Sequence, residues 1–246
     1  ESENIDYCIN TLKSIIDNLI KTNDISSKSF IYFVDDGSID STWQFIKNAS
    51  DSNKDIKGLR LSKNFGHQNA LLAGIEQVID LCDASISIDA DLQQDPKAIK
   101  EFITEFKLGY DLVLGVRRDR KTESFFKKYA AKIFNKIMKS LGADIVSGHA
   151  DYRLMSNRSM KEIKLLKDPN IFLRGMIHKI GFKYSIIYFD VSERKRGFSK
   201  YSFRKLVRLA LAGLTTMSTA PLRLIASIGF FSFLVFIGNI LFLILN

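Results

Sequence analysis

Two cysteines, one tryptophan and three histidines are all that this chain of 246 residues contains of those types. Each scarcity removes a class of chemistry. Cys8 and Cys82 stand in apolar periodic segments without metal-ligand spacing, so both read as buried free thiols of a protein kept in a reducing compartment. His67, His149 and His178 are scattered, and neither a Ser/His/Asp triad nor a Cys/His pair can be assembled around them. No GxGxxG follows an early strand and no GxxxxGKS or GxxxxGKT occurs, which removes support from a dinucleotide Rossmann site and from a P-loop. Internal repeats and low-complexity linkers are missing as well.

Charge is missing from one place. Leu224 to Leu245 carries no charged side chain and is dominated by Leu, Ile, Phe and Val. At 1.5 Å per residue this run covers about 33 Å, the thickness of a bilayer core. A buried core helix needs no such length, and a transmembrane helix is expected over 222–246. The chain as a whole has a net charge of +9, which suits an anionic partner: nucleic acid, anionic lipid or a phosphorylated substrate. The distribution of that charge favours lipid. Arg194, Lys195, Arg196, Lys200, Arg204, Lys205, Arg208 and Arg223 crowd the N-terminal flank of the apolar run, which predicts that this flank and the domain before it stay on the cytoplasmic side. No nucleic-acid-binding motif is present, and no nucleic-acid partner is expected.

Ahead of the basic segment, apolar spacing predicts a helix over 4–21, then strands and helices in alternation. Strands are expected at 30–34, 57–61, 84–88, 111–116, 152–155 and 184–189. Helices are expected at 41–49, from about 67 to 79, and at 96–108, 123–141, 158–166 and 169–179. Repeated strand–helix alternation with short connections predicts an α/β fold, a Rossmann-like, mostly parallel sheet with helices on both faces. Phe203, Leu206, Val207, Ala210, Leu211 and Leu214 oppose Arg204, Lys205 and Arg208, the pattern of a helix in the membrane interface or of one packed on a domain surface.

The centre of the chain is Ser85-Ile86-Ser87-Ile88-Asp89-Ala90-Asp91-Leu92-Gln93-Gln94-Asp95-Pro96. In an extended segment side chains two apart share a face, so Asp89, Asp91 and Gln93 can converge. Three such oxygen ligands suit Mg2+ or Mn2+ with substrate phosphates completing the shell; alone, they also suit an ordinary strand-end turn. Asp95 can cap the next helix, with Pro96 in its first turn. Asp35 and Asp36 close an earlier strand before Gly37, where they can accept hydrogen bonds from a base or ribose or cap a helix. Asp151 and Arg153 share a face if their segment is extended, whether towards a reacting centre or as a surface pair. Arg117 ends a strand after Gly115, where a guanidinium can hold a phosphate in bidentate fashion. Arg194, Arg196, Ser199 and Lys200 lie where a lipid-borne phosphate would arrive, and positive-inside charge also explains them.

Taken together the segments resemble the GT-A-fold family 2 glycosyltransferases of the polyprenyl-phosphate branch, the group of dolichol-phosphate mannose synthases and bactoprenol glucosyltransferases. The matching pieces are Val34 to Thr42, Asn64 to Ala70, Asp89 to Pro96, Gly115 to Arg117, Asp151 to Leu154 and Arg194 to Tyr201. The resemblance implies a nucleotide site at Asp35 and Asp36, with Asp89, Asp91 and Gln93 on nucleotide and metal. It implies catalytic roles for Asp151 and Asp91, with Arg153 in the substrate site. Arg117 and the Arg194, Arg196, Ser199, Lys200 cluster would hold phosphates. It divides the chain into a glycosyltransferase domain over 1–190, a juxtamembrane segment over 191–221 and the span. It further implies an opening strand with a Pro-x-Tyr-Asn-Glu motif ahead of Glu1, a second span beyond Asn246, and a homo-oligomer, since some members assemble as tetramers.

The implied reaction is inverting transfer of a hexose, glucose from UDP-glucose in the bactoprenol branch, to polyprenyl phosphate at the cytoplasmic membrane face. A GDP-mannose donor and a non-lipid acceptor are the alternatives. A processive polysaccharide synthase is disfavoured, because Trp43 stands far from the Gln-x-x-Arg-Trp position of those enzymes.

Overall fold

The computed structural model describes residues 2–118, 146, 148–165, 173, 180–190 and 220–245. The helix expected over 123–141, most of the segment over 169–179, the interfacial helix over 201–218, and Arg194, Arg196, Ser199 and Lys200 lie outside the described residues. Contacts divide the chain into two units, Glu1–Ser124 with Val146–Ser199, and Phe125–Ile145 with Lys200–Asn246.

The first unit opens with α1 (Ser2–Lys21), followed by β1 (Ile31–Asp35), α2 (Thr42–Ser52), β2 (Ile56–Arg60), α3 (His67–Val78) and β3 (Ala84–Ser87). A short 3-10 turn, Pro96–Ala98, leads into α4 (Ile99–Lys107), β4 (Leu112–Arg117), β5 (His149–Ser156), α5 (Asn157–Leu165) and β6 (Tyr184–Phe189). The helical spacing of Ile5, Cys8, Ile9, Leu12 and Leu19 becomes the buried stripe of α1. Before α2, the Asp40 carboxylate accepts the Thr42 N–H at 3.0 Å. Asp95 accepts the Lys97 N–H at 3.0 Å ahead of Pro96, the capping expected from its position.

The sheet differs from the expectation of a mostly parallel arrangement. β1 and β2 pair in parallel as a two-stranded sheet, whereas the larger sheet runs β3-β5-β4-β6 and is mixed. Within it β5 is antiparallel to both β3 and β4, and only β4 with β6 is parallel. Two of the three pairings in the larger sheet are thus antiparallel. Strand–helix alternation implies parallel strands only when each connection is a crossover. The link from β4 to β5 instead reverses the chain, so that β5 inserts between its neighbours. All eight β5 residues are buried, and a strand buried on both faces has the same apolar signature in either direction.

Side chains alternate across this sheet. Val113, Leu154 and Tyr152 join Phe102, Phe189 and the α1 residues in one core. Leu112, Leu114 and Met155 join Ile75, Val78, Met160 and Ile163 in the other. Tyr152 packs between Phe102 and Phe189, at ring centroid distances of 4.6 and 5.2 Å. Its hydroxyl donates to the Asp95 carbonyl at 3.1 Å, tying β5 to the start of the 3-10 turn.

The register of β4 on β5 shifts between Leu114 and Val116. Gly115 lies at that irregularity, and a Cβ built there would stand 2.6 Å from the Tyr152 carbonyl oxygen. That neighbour is backbone in a central strand and cannot move aside. Gly115→Ala is expected to destabilise the protein by about 2 kcal/mol, within the range for overpacking a filled core, as measured by denaturant unfolding in detergent.

Of the second unit, the described part is α6 (Ala220–Leu245). Its segment Ile225–Leu245 is the one helix among the described residues long and apolar enough to cross a membrane. The large apolar side chains along it are exposed, which makes it a candidate span.

Candidate active site

The functional residues meet where strands end. The antiparallel register pairs Ser87 with Arg153 and Val116 with His149. Two residues on from Ser87 in β3 and two residues back from Arg153 in β5, Asp89 leaves β3 at the level where Asp151 sits. Arg117 ends β4 on the same side. The reversal of β5 is therefore what brings Asp151 to the end of the sheet where β3 and β4 stop. Ser87 Oγ reinforces this end by donating to the Asp151 carbonyl at 2.6 Å.

Asp151 is 4% exposed, and its pairing with Arg153, which is fully buried, follows from their i, i+2 spacing in a strand. Arg153 Nη2 donates to Asp151 Oδ1. On Asp151 Oδ2 converge His67 Nε2 at 3.1 Å and Gln68 Nε2 at 3.3 Å, both from the first turn of α3. Arg153 thus sits beneath the site, against the carboxylate it pairs with.

Asp89 and Asp91 occupy a turn. The Leu92 N–H donates to the Asp89 carbonyl at 3.0 Å, and Leu92 is buried with a φ of 48°, a region that side chains bearing a Cβ rarely enter. The chain is no longer extended here, so the alternation behind the grouping of Asp89, Asp91 and Gln93 stops at Asp89. Gln94 holds Asp89 on two sides: its Nε2 donates to Asp89 Oδ2 at 2.7 Å, and its Oε1 accepts the Asp89 N–H at 2.9 Å. Asp91 Oδ1 accepts the Gln93 N–H at 3.1 Å, closing an Asx turn.

Burial raises the Asp89 pKa above its ordinary value; Asp91 and Asp151 push the same way, while His67 and Arg117 oppose them. The folded protein therefore holds this proton more tightly than the unfolded chain. Asp89 contributes stability that is present below 3.8 and is lost as the pH rises through the folded value. At neutral pH the buried Asp89 carboxyl therefore weighs against the fold. Asp89→Asn, which keeps an acceptor for Gln94, is expected to melt at a higher temperature than wild type at pH 7, with the increment shrinking towards pH 4. Paired melting scans at the two pH values check this, and a lower melting temperature at pH 7 would contradict it.

The donor set bears on a divalent ion. Among the described residues no group of three His, Cys, Asp or Glu could form a protein cage for one. Two carboxylates close enough to repel each other do fit the pattern of a hard cation held by one or two carboxylates plus substrate phosphates.

Asp35 and Asp36 end β1. Asp35 is buried; its Oδ1 accepts the Ser38 N–H at 3.0 Å, and its Oδ2 faces Arg60 Nε at 3.4 Å as an ion pair. Asp36 accepts the Phe65 N–H at 2.7 Å and the Gly66 N–H at 2.9 Å, fixing the loop before α3. Gly37, with φ 67°, passes so close to Lys63 that a Cβ would lie 2.4 Å from its carbonyl carbon. Each carboxylate oxygen has a second lone pair, so these bonds leave acceptor capacity for a ligand.

Burial pushes the Cys8 thiol up to about 12, with the charge of Asp91 adding to the shift, and such a thiol is inert at neutral pH. Cys8 is buried and Cys82 half-buried, and both are free thiols. Gln68 and Gln94 were not identified as site residues from the sequence. Both lie in segments that carry the family resemblance, Asn64 to Ala70 and Asp89 to Pro96, but amides are common enough that this assigns them no partner without a structure.

Residues 2–165 match glycosyl transferase family 2, and the chain belongs to that family. The uncharacterized glycosyltransferase YkoT of Bacillus subtilis (strain 168) is 43% identical over 222 residues, 90% of this chain and 66% of that protein. An uncharacterized glycosyltransferase of Synechocystis, sll0501, is 32% identical over 100% of this chain and 75% of its own length. A bactoprenol glucosyl transferase of Shigella phage SfX is 36% identical over 82% of this chain and 66% of that protein. The chain spans 60 to 66% of the first three Bacillus relatives.

Proposed function

We propose that this chain transfers a hexose from a nucleotide diphosphate to a polyprenyl phosphate at the cytoplasmic face of a membrane. The observation that carries the reading is the meeting of Asp89 and Asp91 with a firmly held Asp151 at one end of the sheet. Membership of glycosyl transferase family 2 and the relatives named bactoprenol glucosyl transferase support the reaction class. The apolar helix Ile225–Leu245 and its basic flank support a lipid acceptor.

In this reading the acceptor phosphate oxygen attacks the anomeric carbon in line with the departing nucleotide diphosphate, and configuration inverts. A phosphate monoester has its second pKa near 6, so at neutral pH the acceptor is already an anion and needs little help from a base. Asp151, locked by Arg153, His67 and Gln68, serves to orient the sugar and the incoming phosphate. Asp35 and Asp36 line the donor side, and Arg117, exposed at the end of β4, offsets the repulsion between two phosphorylated substrates. Arg194, Arg196, Ser199 and Lys200 are assigned to the lipid phosphate. Asp89 and Asp91, with Gln93 beside them, would hold Mg2+ or Mn2+, whose charge offsets that on the leaving diphosphate.

The test is incubation of membranes carrying the full-length protein with polyprenyl phosphate and, in parallel, labelled UDP-glucose, GDP-mannose and UDP-aminosugars. The expected product is a glucosyl lipid phosphate from UDP-glucose. A mannosyl lipid would reassign the donor, and sugar on a water-soluble acceptor would retire the lipid.

A further inference from the structure

The hydrogen bonds around Asp151 assign a role to a residue outside the acidic motifs. Arg153 reaches the carboxylate from its own strand, but Gln68 comes from α3, a separate element. The Gln68 amide has one possible orientation. Its Oε1 accepts the Leu173 N–H at 3.3 Å, so its NH2 is the end that meets Asp151 Oδ2 at 3.3 Å. The start of α3 is itself immobilised: Asp36 holds the N–H groups of Phe65 and Gly66, and Asn69 Nδ2 donates to the Phe65 carbonyl at 2.8 Å. An amide also orients a carboxylate without adding charge to a cluster whose anions already act on one another.

We propose that Gln68 is a positioning residue of the transfer reaction, fixing the Asp151 carboxylate through Oδ2 while the Leu173 N–H fixes Gln68. This rests on the reading in which Asp151 faces the substrates. The bland competitor is that Gln68 merely ties α3 to residue 173.

Two variants of the full-length protein separate these roles. Gln68→Glu keeps an acceptor for the Leu173 N–H and turns a second anion towards Asp151. Gln68→Met keeps the shape and loses both bonds. A structural tie is retained in the first and lost in the second; positioning is lost in both and reversed in the first. We expect kcat to fall about tenfold in Gln68→Met and about 100-fold in Gln68→Glu at pH 7, the scale for misplacing a reacting group. Donor Kd should stay within about twofold, since the chemistry and not the docking is disturbed. Lowering the pH should restore part of the rate in Gln68→Glu, as the pair of carboxyls takes up a proton, and none in Gln68→Met. Wild-type kcat in Gln68→Glu, or losses confined to donor Kd, would overturn the proposal. Turnover is measured both as lipid product and as donor hydrolysis. Wild-type protein that consumes donor without making lipid product sinks the acceptor assignment, and the variants are then compared on hydrolysis.

Discussion

Asp91→Asn is expected to lower turnover at least about 100-fold, with metal and both substrates saturating, and to leave the melting temperature at or above that of wild type. The fold tolerates the change because the turn contact made by Asp91 survives it. Its Oδ1 accepts the Gln93 N–H, and an asparagine oxygen accepts the same bond. Asp91 also opposes ionisation of Asp89, so removing its charge relieves repulsion in the turn. In the proposed reaction the loss falls on turnover, because a single carboxylate would be left for the diphosphate and any cation that accompanies it. Losing one group preorganised for transition-state charge typically costs two to three decades of rate. Steady-state kinetics and a thermal melt on the same preparation check both halves. Wild-type kcat in the variant would remove Asp91 from the reaction.

Arg153→Met should produce the largest loss of stability, about 3–5 kcal/mol. The guanidinium is fully buried and paired with a carboxylate that is 4% exposed. Removing one member of a buried pair strips the other charge of its buried counter-ion, and that penalty exceeds what the pair itself contributes. The double variant Arg153→Met/Asp151→Asn should recover much of the loss, because the stranded charge is gone. Denaturant unfolding of the two single variants and the double variant gives the coupling energy directly. A double variant as unstable as the sum of the singles would show that Arg153 acts mainly through packing.

The amino-acid sequence made some of these contacts legible and hid others for physical reasons. The Asp151–Arg153 pair follows from a period of two in an extended strand. The capping by Asp95 ahead of Pro96 follows from residue type and position alone. The three polar strand ends at Asp35, Asp89 and Arg117 were visible as abrupt stops in apolar runs. The direction of β5 was not visible, since a strand buried on both faces reads the same forwards and backwards. Yet that reversal brings Asp151 to the end of the sheet where β3 and β4 stop. The alternation that grouped Asp89, Asp91 and Gln93 ends at Asp89, and the left-handed backbone of Leu92, one residue before Gln93, could not be read from residue type. The pairing of Gln68 with Asp151 was invisible because the two lie 83 positions apart.

The most direct test of the account is a structure of the full-length protein with an uncleaved nucleotide-sugar analogue and Mn2+, the ion located by its anomalous signal. The account predicts manganese at about 2.1 Å, ordinary ligand distance for a small hard cation, from carboxylate oxygens of Asp89 and Asp91. It also predicts the diphosphate on that ion and the sugar over Asp151. A diphosphate bound away from the β3 turn, with Asp89 and Asp91 turned from it, would contradict it.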